Sequence, residues 1–196
     1  MLILASASPR RRDLLEQAGV RFEVIPAAID ETLRPGESPT AYVERLALEK
    51  AQAIHALHPE ATVLGADTTV VGDLGAAGGG EEVILSKPVD RAEAEQMLRQ
   101  LSNGVHRVHT GLALVLPGRS VAYRTHVETT SVFFSAIPAE ELAYYLSTGD
   151  SLDKAGGYGI QGYAARWITR IEGDFFNVMG LPIAATVRLL REAGRL

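Results

Sequence analysis

Apolar and polar positions fall into short blocks whose spacing changes along the chain, and each change marks a new element. Leu2 to Ala5 is an unbroken apolar run fit for a buried strand. Arg10 to Gln17 follows at once with strong helix formers that set Leu14, Leu15 and Ala18 on one side. Pro9 stands where this helix begins, Ser8 is placed to cap it, and Gly19 marks its end. Phe22 to Pro26 reads as a second strand, and Asp30-Glu31 opens a polar loop through Arg34-Pro35-Gly36. From Pro39 to His58 the period is helical, with Val43, Leu46, Ala47, Ile54 and Leu57 as the apolar stripe. Lys50 lies on that stripe, so it either snorkels along its stem or points into a cleft. His55 and His58, on the same helix, read as surface residues.

Thr62 to Ala66 predicts a buried strand ending on Asp67, with Thr68-Thr-Val-Val71 beyond. Gly75 to Gly80 predicts a hairpin tip before a strand at Val83 to Leu85, which Ser86-Lys87-Pro88 stops. Asp90 caps a helix to Leu101, and Ser102-Asn-Gly104 closes it. Val105 to Leu116 and Ser120 to Ser135 predict two long, paired central strands. His106 and His109 face opposite sides of the first of them, so they do not share a metal and read as structural. Pro138 to Leu146 is a short helix whose Tyr144 and Tyr145 pack. A Gly-rich loop from Asp153 to Gly162, a strand near Arg166 to Ile171 and a helix from Pro182 to Ala193 complete the pattern, without internal repeat or linker. Strands alternating with helices give an α/β fold in one domain or two closely joined lobes.

Composition narrows the chemistry. The 196 residues contain no cysteine, which excludes disulfides, thiolate catalysis and Cys-ligated zinc. The longest apolar stretches fall short of a membrane span, and Met1-Leu-Ile-Leu has no basic leader before it, so the expectation is a soluble cytoplasmic protein without a membrane partner. A net charge of -5, with 19 basic residues spread along the chain, argues against nucleic acid as a partner. An anionic ligand must therefore meet positive charge locally. Ser6-Ala-Ser-Pro-Arg-Arg-Arg12 offers it: a strand runs into a helix N-terminus where free N–H groups, two hydroxyls and up to three guanidinium groups converge. The competing reading is that the arginines solvate a surface helix. Asp67, at the carboxyl end of a strand, has either a functional role or that of a turn cap.

Taken in order, Ser6-Ala-Ser-Pro-Arg-Arg11, Asp30-Glu31, Ala47-Leu-Glu-Lys50-Ala, Gly65-Ala-Asp67-Thr68, Lys87-Pro88, Gly104 with His106 and Thr110-Gly111, the Asp153 to Gly162 loop, and Gly173-Asp174 with Asn177 and Gly180-Leu-Pro182 resemble the Maf family of nucleoside triphosphate pyrophosphatases. The resemblance runs nearly end to end. It implies an elongated mixed sheet flanked by helices, in the inosine-triphosphatase type of fold, as a single domain over 1–196 with two lobes around a central cleft, often as a homodimer. It also implies conversion of a nucleoside triphosphate to the monophosphate and pyrophosphate with Mg2+ or Mn2+. Arg10, Thr68 and Gln161 match the branch acting on dTTP and UTP, with clearance of modified pyrimidine nucleotides as the expected role.

On this reading Asp67 orients and deprotonates the attacking water, and Glu31 joins Asp67 as a metal carboxylate. Arg10, Arg11, Lys50 and Lys87 neutralise the triphosphate and the leaving group, with Ser6 and Ser8 in the same anion site. Gln161 reads the O4 acceptor and N3 donor of the base, which requires neighbours in the Gly-rich loop to hold its amide in one orientation. Two rivals remain: a pyrophosphatase of different base specificity, and a nucleotide-binding regulator of cell division without turnover.

Overall fold

The computed structural model describes residues 1–73, 82–118 and 122–196. The predicted hairpin tip at Gly75 to Gly80 lies outside the described residues. Strands β1 (Leu2–Leu4), β2 (Glu23–Val24), β3 (Thr62–Asp73), β4 (Glu82–Leu85), β5 (Val105–Leu116), β6 (Ala122–Phe134) and β7 (Ile168–Glu172) form one mixed sheet in the order β2-β1-β3-β5-β6-β7, with β4 paired to β3. β1 pairs in parallel with both β2 and β3, whereas β3–β4 and β6–β7 are antiparallel. The two long strands expected beside each other, β5 and β6, are neighbours near the centre. The helices are α1 (Pro9–Gln17), α2 (Pro39–Leu57), α3 (Arg91–Leu101), α4 (Ala139–Thr148), α5 (Phe175–Met179) and α6 (Ile183–Glu192).

The chain divides into two compact units: residues 1–68, 110–128 and 180–196 make the first, and 69–109 with 129–179 the second. In the first, Ile3 of β1, Ala5 just after it and Val63 of β3 are buried with Ala47, Ala51 and Ile54 of α2. Glycine makes this packing close. A Cβ on Gly65 would lie 2.0 Å from the Ala47 carbonyl oxygen, and one on Gly111 2.2 Å from that of Val43. The backbone of α2 therefore rests directly on β3 and β5. Helix α1 is fixed at both ends. Pro9 occupies its first turn and the Ser8 hydroxyl faces the Arg11 N–H, while Gly19 at φ +70° lets its own N–H bond the Glu16 carbonyl and that of Val20 bond Leu15.

The second unit has an aromatic core. Phe134 packs edge to face with Tyr158, Trp167 and His106, and Tyr158 also meets His106 edge to face, among Leu98, Leu101 and Leu142. Burial pushes the His106 imidazole down to about 3, so the ring is neutral and joins the Tyr158 hydroxyl at 2.6 Å. His109 meets the Thr129 hydroxyl at 2.9 Å. Both histidines are structural.

β3 does not end at Asp67 but continues to Asp73, because Thr68 to Val71 sustain the β-branched run. Leu57 leaves the apolar stripe and is 72% exposed. His55 is buried, with Nδ1 3.1 Å from the Ala61 carbonyl. One turn explains both: the chain reverses at once after α2, with the Ala61 N–H on the His58 carbonyl, and it covers the His55 side of the last turn. Residues Tyr163–Trp167 form a 3-10 turn ahead of β7, and α5 is an element the periodicity did not mark. Among the described residues no helix is long and apolar enough to cross a membrane.

Candidate active site

The site lies in the first unit, where α2 crosses β3. Lys50 is 8% exposed and Asp67 7%, so neither is a surface charge. Lys50 donates from Nζ to Asp67 Oδ1 at 2.6 Å and pairs with Glu31 Oε1 at 2.9 Å. Lys50 therefore does not snorkel to solvent but bridges two carboxylates. The close seat of α2 on Gly65 explains why it reaches Asp67, two residues further along β3. Burial lifts the Asp67 carboxyl above the ordinary range, while the charges of Lys50 and Arg11 oppose that rise. A base of raised affinity for protons suits work near neutral pH better than an ordinary Asp.

Glu31 is exposed, yet its loop is anchored. The Tyr42 hydroxyl donates to the Glu31 carbonyl at 2.9 Å. Arg45 donates to both Glu37 oxygens at 2.5 and 2.7 Å and to the Thr32 carbonyl at 3.1 Å, so two side chains of α2 hold the loop at several points. Sequence reasoning gave Tyr42 and Arg45 no part in the site. The available signal was Arg45 followed four residues later by Glu49, a helical pair that does form.

The three arginines of the first motif part company. Arg12 is exposed and pairs with Asp13 and Glu16, as a surface helix residue does. Arg10 is half-buried. Arg11 turns inward and donates to the carbonyls of Gly180 and Ala66, each at 2.8 Å, and to the hydroxyls of Ser6 at 3.2 Å and Thr68 at 2.9 Å. Three guanidinium groups therefore do not converge. Arg11 links the turn after β1 to β3 and to the turn at Gly180, with its charge close enough to act on Asp67. Ser6 accepts from the Ser8 N–H as well, and Thr68 shares a 2.9 Å hydrogen bond with Thr110. The loop and β3 are thus tied before any ligand arrives.

Lys87 and Gln161 belong to the second unit, and both are exposed. Gln161 makes no hydrogen bond from its side chain among the described residues. In the same unit Asn177, named only as part of a motif, donates to the Val108 carbonyl and the Thr130 hydroxyl, while Asp174 caps α5. Among the described residues no group of three or more His, Asp or Glu could hold a metal. Asp67 and Glu31, two hard oxygen donors in reach of one ammonium, still fit Mg2+ or Mn2+ if phosphate oxygens and waters complete the shell.

Fold and site together define a mixed α/β protein in which a buried aspartate of the third strand is paired with a buried lysine of α2. The chain belongs to the Maf family: the model described as "Maf-like protein" matches residues 1–193. It is 48% identical over 193 residues to a "dTTP/UTP pyrophosphatase" of Koribacter versatilis, covering 98% of this chain and 94% of that protein. A protein of the same name from Symbiobacterium thermophilum is 49% identical over 193 residues, with the same coverage. Among solved structures, "Structure of a HAM1 protein from Coxiella burnetii" superposes with a TM-score of 0.53 at 16% identity over 97% of this chain and 98% of that one, a likeness of fold.

Proposed function

We propose that the chain hydrolyses dTTP and UTP to the monophosphate and pyrophosphate, with Asp67 orienting and deprotonating the attacking water. The observation that carries this reading is the buried Lys50–Asp67 pair, whose ammonium also reaches the exposed Glu31. Nearly half-identical relatives named for the same reaction support it. Attack at the α-phosphorus needs a positioned water and positive charge to receive a departing pyrophosphate, so catalysis is mostly placement and electrostatics. Lys50 keeps the Asp67 carboxylate oriented. Arg11 adds a fixed positive charge beside it, and Arg10, Ser6 and Ser8 bind phosphate oxygens.

Lys87 neutralises the leaving group and Gln161 reads the pyrimidine. Both of these roles rest on the family motifs. Asp67 and Glu31 would hold a divalent metal, which when bound supplies Lewis-acid polarisation of water and phosphate oxygens. The same chemistry on modified pyrimidine triphosphates would remove them from the precursor pool.

Pyrophosphate release from UTP, dTTP, CTP, ATP and GTP with magnesium or manganese tests the reading. The expected result is release from UTP and dTTP at least about tenfold faster than from CTP at limiting substrate, since a site built to pair with polar base edges rejects a mismatched edge. Equal turnover of CTP would leave the chemistry and overturn the base assignment. Absence of pyrophosphate release from every nucleotide would overturn the function.

A further inference from the structure

The Gly-rich loop places Gln161 at the tip of a tight turn. The Gly162 N–H bonds the Gly159 carbonyl at 3.1 Å, so Gly159-Ile-Gln-Gly162 is a β-turn with Gln161 in its third position. Ile160 is buried and Gln161 exposed, which fixes the direction in which the turn presents its side chains. Behind the turn lies Lys154. Its ammonium donates to the Asp150 carbonyl at 2.6 Å, to Asp150 Oδ1 at 2.7 Å and to Asp153 Oδ1 at 2.5 Å, three acceptors for three N–H bonds. It has no N–H left to offer a phosphate.

Its stem does something else. A Cβ on Gly159 would lie 2.9 Å from Lys154 Cε and 3.0 Å from Cδ, and one on Gly162 would lie 3.1 Å from Asp150 Oδ2. The first glycine of the turn rests on the lysine stem, and the last rests on the carboxylate that the same lysine holds. The other end of the loop is anchored separately, by the Gly156 N–H on the Ser86 carbonyl at 3.2 Å and by the Tyr158 hydroxyl on His106.

We infer that Lys154, clamped by Asp150 and Asp153, is a positioning residue for base selection: it forms the floor that sets the Gly159–Gly162 turn and thereby the place from which Gln161 reaches the pyrimidine. This rests on Gln161 being the base-reading residue. The ion pairs are local, spanning at most four residues, so their loss releases the turn while the aromatic anchor at Tyr158 remains. An interaction that selects a base is sensitive to displacement of the reading group, and misplacement on the order of an ångström costs up to about a hundredfold in rate.

The test measures kcat and KM for UTP and CTP in the wild type, Lys154→Met, Lys154→Arg, Gln161→Ala and the double variant Lys154→Met/Gln161→Ala, with folding followed by circular dichroism. Lys154→Met is expected to raise KM for UTP about tenfold with kcat little changed, and to reduce the UTP over CTP preference towards that of Gln161→Ala. Lys154→Arg recovers part of the preference. The double variant is no worse than Gln161→Ala alone, because the two residues act through one contact. A Lys154→Met protein that keeps the wild-type preference, or losses that simply multiply in the double variant, overturns the inference. An unchanged preference in Gln161→Ala overturns the base-reading assignment itself, and the inference with it. Should Lys154→Met fail to fold, Asp153→Asn replaces it, removing the charge of one of the acceptors at an exposed position. The same partial loss of preference is then expected, and wild-type preference overturns the inference.

Discussion

Asp67→Asn lowers kcat for UTP by about a thousandfold while KM stays within about threefold, the loss expected when a positioned base is removed without disturbing ground-state binding. The substitution is nearly isosteric. The amide oxygen introduced in place of the carboxylate still accepts from Lys50, and Lys50 keeps Glu31 as its counter-charge, so no buried ammonium is left stranded. The change therefore removes the proton acceptor and one charged metal donor while leaving the Lys50 contact in place, so the assays are run at saturating metal. Steady-state pyrophosphate release, beside nucleotide binding by calorimetry, checks it. A variant that is folded, binds UTP and turns over within tenfold of the wild type would remove Asp67 from its role.

Gly65→Ala unfolds the first unit at a lower temperature and takes activity with it. Its new Cβ would meet the Ala47 carbonyl oxygen at 2.0 Å and the Ala51 N and Cβ at 3.0 Å. A backbone oxygen inside a helix has no rotamer to retreat into, so all of α2 must lift from β3. Overpacking of this kind costs about 3 kcal/mol or more, at the upper end of what inserted methyl groups cost in cores. That corresponds to a fall in Tm on the order of 10 °C for a chain of this size. Because Lys50 rides one turn beyond Ala47 on the same helix, the lift also draws the ammonium from Asp67. The protein that remains folded at low temperature is thus expected to be impaired as well. Thermal unfolding and activity at low temperature measure both effects, and a Tm within about 1 °C of the wild type would show that α2 does not rest on β3 as described.

The same packing shows how far the sequence could be read. The α2 stripe, its Pro39 start and the strand at Thr62 followed from periodicity and caps alone, and Lys50 stood out because a lysine in an apolar stripe needs a reason. What pattern could not supply was the partner. Two of Lys50's contacts lie 17 residues ahead on β3 and 19 residues behind in a loop, and no local period links them. For the same reason the pairing of Asp67 in mid-strand is not legible locally, since its partner Lys50 comes from α2.

The arginines teach the converse. Three identical residues in a row invited one role, whereas helical geometry turns them by about 100° each, so Arg11 faces inward and Arg12 outward. The serines and glycines around them did announce a special turn. Arg11 is what holds that turn, with three of its four acceptors at Ala66, Thr68 and Gly180, far along the chain. Gln161 was legible as a residue presented by glycines, but the lysine beneath the turn was not, because the stem of Lys154 acts through shape rather than through charge on a ligand.

Attack of water at the α-phosphorus is tested by hydrolysis of UTP by the wild-type protein with magnesium in water enriched in heavy oxygen, followed by mass analysis of both products. The expected result is one labelled oxygen in the phosphate of UMP and none in pyrophosphate. Label in pyrophosphate, with unlabelled UMP, would place the attack on the β-phosphorus and contradict it.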